Sequence, residues 1–111
     1  MISIVTIGRN DEESVLPVTG DTLLLVRDHY GPNVLYDAAD RAGILLIQAV
    51  PLTHESGRSI VVRREVDRLA SHPSLAGWMV DHIGRIADRV VERIHHLDPT
   101  RRVFRQQPGA C

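Results

Sequence analysis

Three times in succession after Asp21, a short uninterrupted apolar run gives way to an amphipathic stretch, and this rhythm constrains the fold more than any other feature of the chain. An apolar run without alternation suits a strand buried on both faces, and a strand followed by a covering helix is the βα unit of a parallel sheet. In the first unit Leu23-Leu24-Leu25-Val26 is the strand, and Val34, Leu35, Ala38, Ala39 and Ala42 recur at helical spacing behind it. Asn33 is placed to cap that helix and Gly43 to close it in a left-handed conformation. The second unit has a strand over residues 44–47, a stop at Pro51, a polar loop over 53–57, and a helix over 59–70 carrying Ile60, Val62, Val66 and Leu69. The third follows the breaker Ser71-His72-Pro73, with a strand over 75–80 and a helix over 83–97 whose stripe is Ile86, Val90, Ile94 and Leu97. Asp98-Pro99 ends it, and Val103-Phe104 opens one more strand.

A complete eightfold barrel needs about 200 residues or more, and this chain has 111. The expectation is therefore an α/β fold, half of a (β/α)8 TIM-type barrel with parallel strands. Residues 1–20 read as an N-terminal strand, alternating over 2–7, and a linker; 21–106 as the half-barrel βα domain; 107–111 as a disordered tail. A half barrel has two raw sheet edges and a face that wants burial, so completion by a second copy, giving a homodimer, follows from the topology.

Composition narrows the functions. At 43% hydrophobic and 24% charged residues, the chain should fold as a globular domain. No apolar run approaches the ~20 residues that cross a bilayer, and no basic segment precedes an apolar stretch at the N-terminus; the expectation is a cytoplasmic protein without a membrane partner. All 13 basic residues are arginine, spread among comparable numbers of acids for a net charge of −1, which leaves no footprint for nucleic acid and no lysine for Schiff-base chemistry. The lone cysteine, Cys111, excludes an internal disulfide and a Cys-rich zinc site. Neither a Gly-x-Ser-x-Gly elbow nor a glycine-rich phosphate loop is present, so no nucleotide or organic cofactor is expected.

Several segments resemble a known family. Tyr36-Asp37-Ala38-Ala39-Asp40-Arg41-Ala42-Gly43-Ile44-Leu45-Leu46-Ile47-Gln48, the following Pro51-Leu52, Ser71-His72-Pro73-Ser74-Leu75-Ala76-Gly77-Trp78 and Leu97-Asp98-Pro99-Thr100-Arg101 are similar, in order, to segments of retaining glycoside hydrolases of the β-galactosidase, β-glucuronidase and β-mannosidase group. The resemblance covers residues 26–104 and implies a fragment, about half, of their barrel. It also implies that Arg27 and His29 fall in a sugar-contacting or structural motif. The family's acid/base glutamate stands a few residues after the tryptophan, and here Asp81-His82 occupies that place, with histidine at the glutamate position. The nucleophile lies on a strand beyond this chain. Retaining hydrolysis needs two carboxyl groups about 5 Å apart, so ordinary glycosidase activity is not expected.

Side chains just past the C-terminal ends of parallel barrel strands converge on one face. The segmentation sends there Arg27, Asp28, His29 and Tyr30 from one strand, Gln48 with His54 and Glu55 from the next, and Asp81 with His82 from the third, with Trp78 on the strand leading in. Imidazoles and carboxylates from separate strands can hold zinc or manganese and leave a position for water, which the ion would activate for ester or phosphoester hydrolysis. On that reading His29, His54 and His82 are the metal ligands, Asp28, Asp81 and His82 the catalytic groups, and Arg27, Tyr30, Gln48 and Trp78 the residues that bind a small-molecule substrate or sugar. Two readings stand beside it: unligated polar residues of a relic cleft, keeping carbohydrate affinity without turnover, and use of His82 as a general base or sugar contact. A third class, an interaction module recruiting another chain along its sheet edges, is also consistent with the pattern. His72, at the opposite end of a strand, and His95-His96, in a last helical turn, are expected to be structural. Trp78 is equally compatible with core packing.

Overall fold

The computed structural model describes residues 3–7, 22–27, 29–52 and 59–105. Five strands, β1 (Ser3–Ile7), β2 (Thr22–Val26), β3 (Leu45–Ala49), β4 (Leu75–Met79) and β5 (Arg102–Phe104), form one sheet. Every neighbouring pair is parallel, and the spatial order is the chain order. Residues 3–7 thus join the sheet as an edge strand, so the alternating N-terminal segment shares the sheet of the βα units. Among the described residues three helices return the chain: α1 (Asn33–Ala42), α2 (Ser59–Leu69) and α3 (Arg85–Leu97). None is long and apolar enough to cross a membrane.

Parallel strands taken in sequence with right-handed connections put the helices between them on one side of the sheet, which for the described connections places α1, α2 and α3 together. The packing agrees. One core cluster joins Leu35, Tyr36 and Ala39 of α1, Val62, Val66 and Leu69 of α2, and Ala87, Val90 and Ile94 of α3 to Leu24, Val26, Leu46, Trp78 and Val80 of the sheet. The opposite face carries a second cluster, Leu25, Ile47, Ala49 and Met79 with Leu23 and Phe104 packed on it, in which none of the described helical residues takes part. Alternation along β2 and β3 divides their side chains between the two clusters. In β4 the register slips between Leu46 and Ile47 of its partner, and this irregularity lets Leu75 and Trp78 both face the helices. The architecture is α/β with an all-parallel, singly wound sheet.

The helix starts differ from expectation in a consistent way. Pro32, with extended φ −74° and ψ 157°, stands at the N-cap of α1, so Asn33 is the first helical residue and its side-chain oxygen accepts from Arg68 Nη1 at 2.6 Å. Val34, Ile60 and Ile86, assigned to buried stripes by periodicity, are 70%, 75% and 67% exposed. Each is the second residue of its helix, where the chain is only entering the layer and the stripe has not yet reached the sheet. Gly43 closes α1 at φ 70° as its position suggested, and its N–H and that of Ile44 return to Asp40 and Ala39.

Candidate functional site at the strand ends

A cleft of about 230 Å3 opens at the C-terminal ends of β2, β3 and β4, lined by Arg27, Ala49, Val50, Pro51, Leu52, Met79, Asp81 and His82. Ligand pockets for drug-sized molecules run ~300–1,000 Å3, so this one suits a small molecule or one end of a larger one. Five of its lining residues, Ala49, Val50, Pro51, Leu52 and Met79, are apolar, and its polar groups are a guanidinium, a carboxylate and an imidazole. Arg27 is the residue after β2 and Asp81 follows β4 by two, and across the intervening β3 they meet: Arg27 Nη2 donates to Asp81 Oδ2 at 3.0 Å. Both side chains are over a third or nearly so exposed, so the pair orients the two groups more than it stabilises the fold.

His82 is exposed, and its place is fixed through its backbone: Arg105 Nη2 donates to the His82 carbonyl at 3.1 Å while both Arg105 terminal nitrogens reach Asp88 Oδ1. Gly84 then turns the chain into α3 at φ 116°, a left-handed conformation that only glycine adopts without strain. His29 is half-buried behind Arg27, its Nδ1 2.8 Å from the Arg27 carbonyl. A carbonyl only accepts, so Nδ1 carries the proton.

The remaining nominated residues serve other ends. Gln48 is fully buried, and its amide is spent on protein: Nε2 donates to the carbonyls of His29 and Ala49, both at 2.7 Å, and Oε1 accepts from the Tyr36 hydroxyl. The same hydroxyl accepts from the Gly31 N–H at 3.0 Å. Gln48 is thus a clamp on the loop that carries His29, and it does not line the cleft. Trp78 is likewise fully buried, in the cluster beneath the helices, with Nε1 donating to Asp98 Oδ2 at 3.0 Å. Tyr30 packs against that same cluster; burial, then the nearby Glu65 carboxylate, raises its hydroxyl well above the usual range. Asp28, His54 and Glu55 lie outside the described residues.

The predicted metal centre is not assembled from the described part of this face. Among the described residues, the group of three side chains with ligand atoms close enough to share an ion is Asp37, Asp40 and His72, at the opposite end of the sheet; His29 and His82 do not belong to such a group. Sequence reasoning passed over the Asp37 and Asp40 carboxylates, since both sit inside a helix that reads as an ordinary amphipathic one. Arg105 carried no signal at all, because its partners are distant in sequence.

Compared with known proteins, the chain matches no protein-family model and no curated protein.

Proposed function

We propose that the chain is a small hydrolase acting on an ester or phosphoester in the cleft at the C-terminal strand ends. The observation that carries this reading is the convergence of Arg27, Asp81 and His82, from two different strand ends, in a cleft that apolar residues otherwise line. Arg27 binds the anionic oxygen of the substrate, a task that suits its planar fork. His82 takes the proton of the attacking water, and Asp81, held by Arg27, orients the pair. A divalent ion, zinc or manganese, remains part of the proposal, with His29, His54 and His82 as ligands; it would supply an activated water, and with His82 coordinated the proton acceptor would be Asp81. Turnover of p-nitrophenyl acetate and p-nitrophenyl phosphate tests the reading. Loss of an acid–base group costs typically about 100-fold or more, so Asp81→Asn and His82→Ala should both fall by that much, and wild-type turnover no faster than buffer would overturn the proposal.

A second reading, a vestigial carbohydrate-binding fragment of a glycoside hydrolase, is favoured by one specific feature: Arg27 and Asp81 neutralise each other. A carboxylate so paired still has oxygen lone pairs that accept hydrogen bonds from the adjacent hydroxyls of a sugar. Titration of labelled protein with galactose, glucuronate and mannose would show saturable shifts at Arg27 and Asp81 without turnover.

The half-barrel reading and its completion by a second copy rest on the strictly sequential strand order and the one-sided helix layer. Alternation places Leu45, 52% exposed, on the face away from the helices, where a second copy would cover it. A dimeric mass in sedimentation that falls to monomer in Leu45→Glu is the expected result. A cytoplasmic setting fits a chain with a single cysteine.

A further inference from the structure

The end of the molecule that holds the cleft also carries exposed apolar side chains that the cleft does not use, and from them we propose that this end docks on an anionic lipid surface. The large apolar side chains exposed among the described residues are Val34, Ile60, Ile83 and Ile86, at 70%, 75%, 95% and 67%, together with Leu45. Leu45 begins β3 and so stands at the opposite end of the sheet. The other four stand in the first turns of α1, α2 and α3 or just before them. Each of these helices returns antiparallel to its strand, so all three starts lie at the C-terminal strand ends. Packed helices sit about 8–10 Å apart, which spreads the four side chains along a rim about 20 Å long. Ile83 follows His82 of the cleft directly, and residues 81–86 are exposed throughout.

Single exposed apolar residues need no explanation, whereas a group of them at one end marks a contact with protein or membrane. Two observations favour the membrane. A protein contact gathers its anchors into a packed centre; these aliphatics are dispersed over three helix starts, and a fluid bilayer accepts separate apolar side chains without a matching shape. The charge around them fits anionic headgroups. Asp81 and Asp88 are paired with Arg27 and Arg105, and α1 and α2 have no acidic residue in their first turns. Arg85 and Arg89 are exposed and have no ion pair among the described residues. Arg85 lies in sequence between Ile83 and Ile86, so aliphatic insertion and contact with a lipid phosphate occur together. The expectation of no membrane partner rests on the lack of a spanning run, and a peripheral contact needs none. Docking of this kind does not depend on turnover in the cleft.

Flotation of the purified full chain with vesicles of phosphatidylcholine alone, and with vesicles of phosphatidylcholine and phosphatidylglycerol in equal parts, tests this, with the mass in solution recorded in parallel. The expected result is binding to the anionic vesicles about 20-fold tighter than to the neutral ones, since each of two arginines near such a surface contributes about fivefold. That preference should fade at about 1 M salt, where the Debye length is only about 3 Å. Ile83→Asn and Ile86→Asn replace exposed side chains, so the thermal midpoint stays as in the wild type while vesicle affinity falls by about tenfold or more in each, the worth of burying one large aliphatic side chain. Arg85→Gln should cost about fivefold on anionic vesicles alone. No binding, equal affinity for neutral and anionic vesicles, or affinity unchanged in the two isoleucine variants would overturn the proposal. So would a mass in solution that falls in Ile83→Asn while neither protein floats with vesicles, which would make the rim a contact between copies of the chain.

Discussion

The two ends of the sheet are built on opposite terms. At the C-terminal end the polar groups Arg27, Asp81 and His82 are exposed or half-exposed and face a cleft. At the N-terminal end the polar groups are turned inward and joined into a network. Asp98, 6% exposed, accepts from Trp78 Nε1 and from Arg101 Nη1, while the other Arg101 nitrogens donate to the carbonyls of Leu75 and His72. Asp40 holds His72 and the Ser74 N–H. Buried polar groups must be satisfied, so the N-terminal network fixes where β4 and β5 begin. Exposed ones are satisfied by water and place less demand on the packing. The difference teaches that a buried polar network and an exposed polar cleft can be built at opposite ends of the same strands.

The sharpest way to break this comparison is at Asp98. Asp98→Ala leaves the buried indole N–H and Arg101 Nη1 without their acceptor, and removing one partner of a buried charged pair costs about 3–5 kcal/mol; chemical denaturation should show a loss at or near the lower figure. Gly77→Ala tests the far face of the sheet. A Cβ there would meet the Arg102 carbonyl and the Phe104 ring, both at 2.9 Å, and overpacking of this kind costs about 1–3 kcal/mol. At the cleft end, Asp81→Asn should change stability by less than about 1 kcal/mol while abolishing turnover or ligand binding. A large destabilisation there would mean that the two ends are not divided as described.

The smallest effect concerns acid. Partial burial pushes the Asp40 carboxyl up, but the hydrogen bonds from Ser74 and His72 outweigh it and hold the carboxyl below its ordinary value of 3.8. A folded-state pKa below the unfolded one means that the contribution is fully present above about pH 4 and is lost as pH falls through the lower folded value. Urea midpoints of wild type and Asp40→Asn should therefore differ by a constant amount at neutral pH and converge as pH drops below 4. Curves that stay parallel would remove the Asp40 contacts from the account of this end.

Much of this division was legible in the chain. The apolar runs at residues 23–26, 44–47 and 75–80 became β2, β3 and β4 because an uninterrupted run of aliphatic residues has no solvent face to offer, and Gly43 closed α1 because only glycine takes φ 70° cheaply. The parallel α/β class followed from that alternation, and so did the meeting of Arg27 with Asp81 and His82, since equivalent positions past parallel strands share one end of the sheet.

Sequence by itself therefore determined the elements and their parallel α/β class, which rest on local periodicity and on connection rules. Only the tertiary structure decided what each polar side chain does. Gln48 and Trp78 sit at strand positions that periodicity could send to the cleft, and packing turned both under the helices, where Tyr36 and Asp98 take up their polar atoms. Asp40 reads in sequence as one more surface acid of an amphipathic helix, and becomes a partner of His72 and Ser74 because the β4 entry passes beside it. The physical reason is the same in each case: a backbone conformation is chosen by neighbours in the chain, whereas the partner of a buried polar group is chosen by whatever distant segment the fold brings within about 3 Å of it.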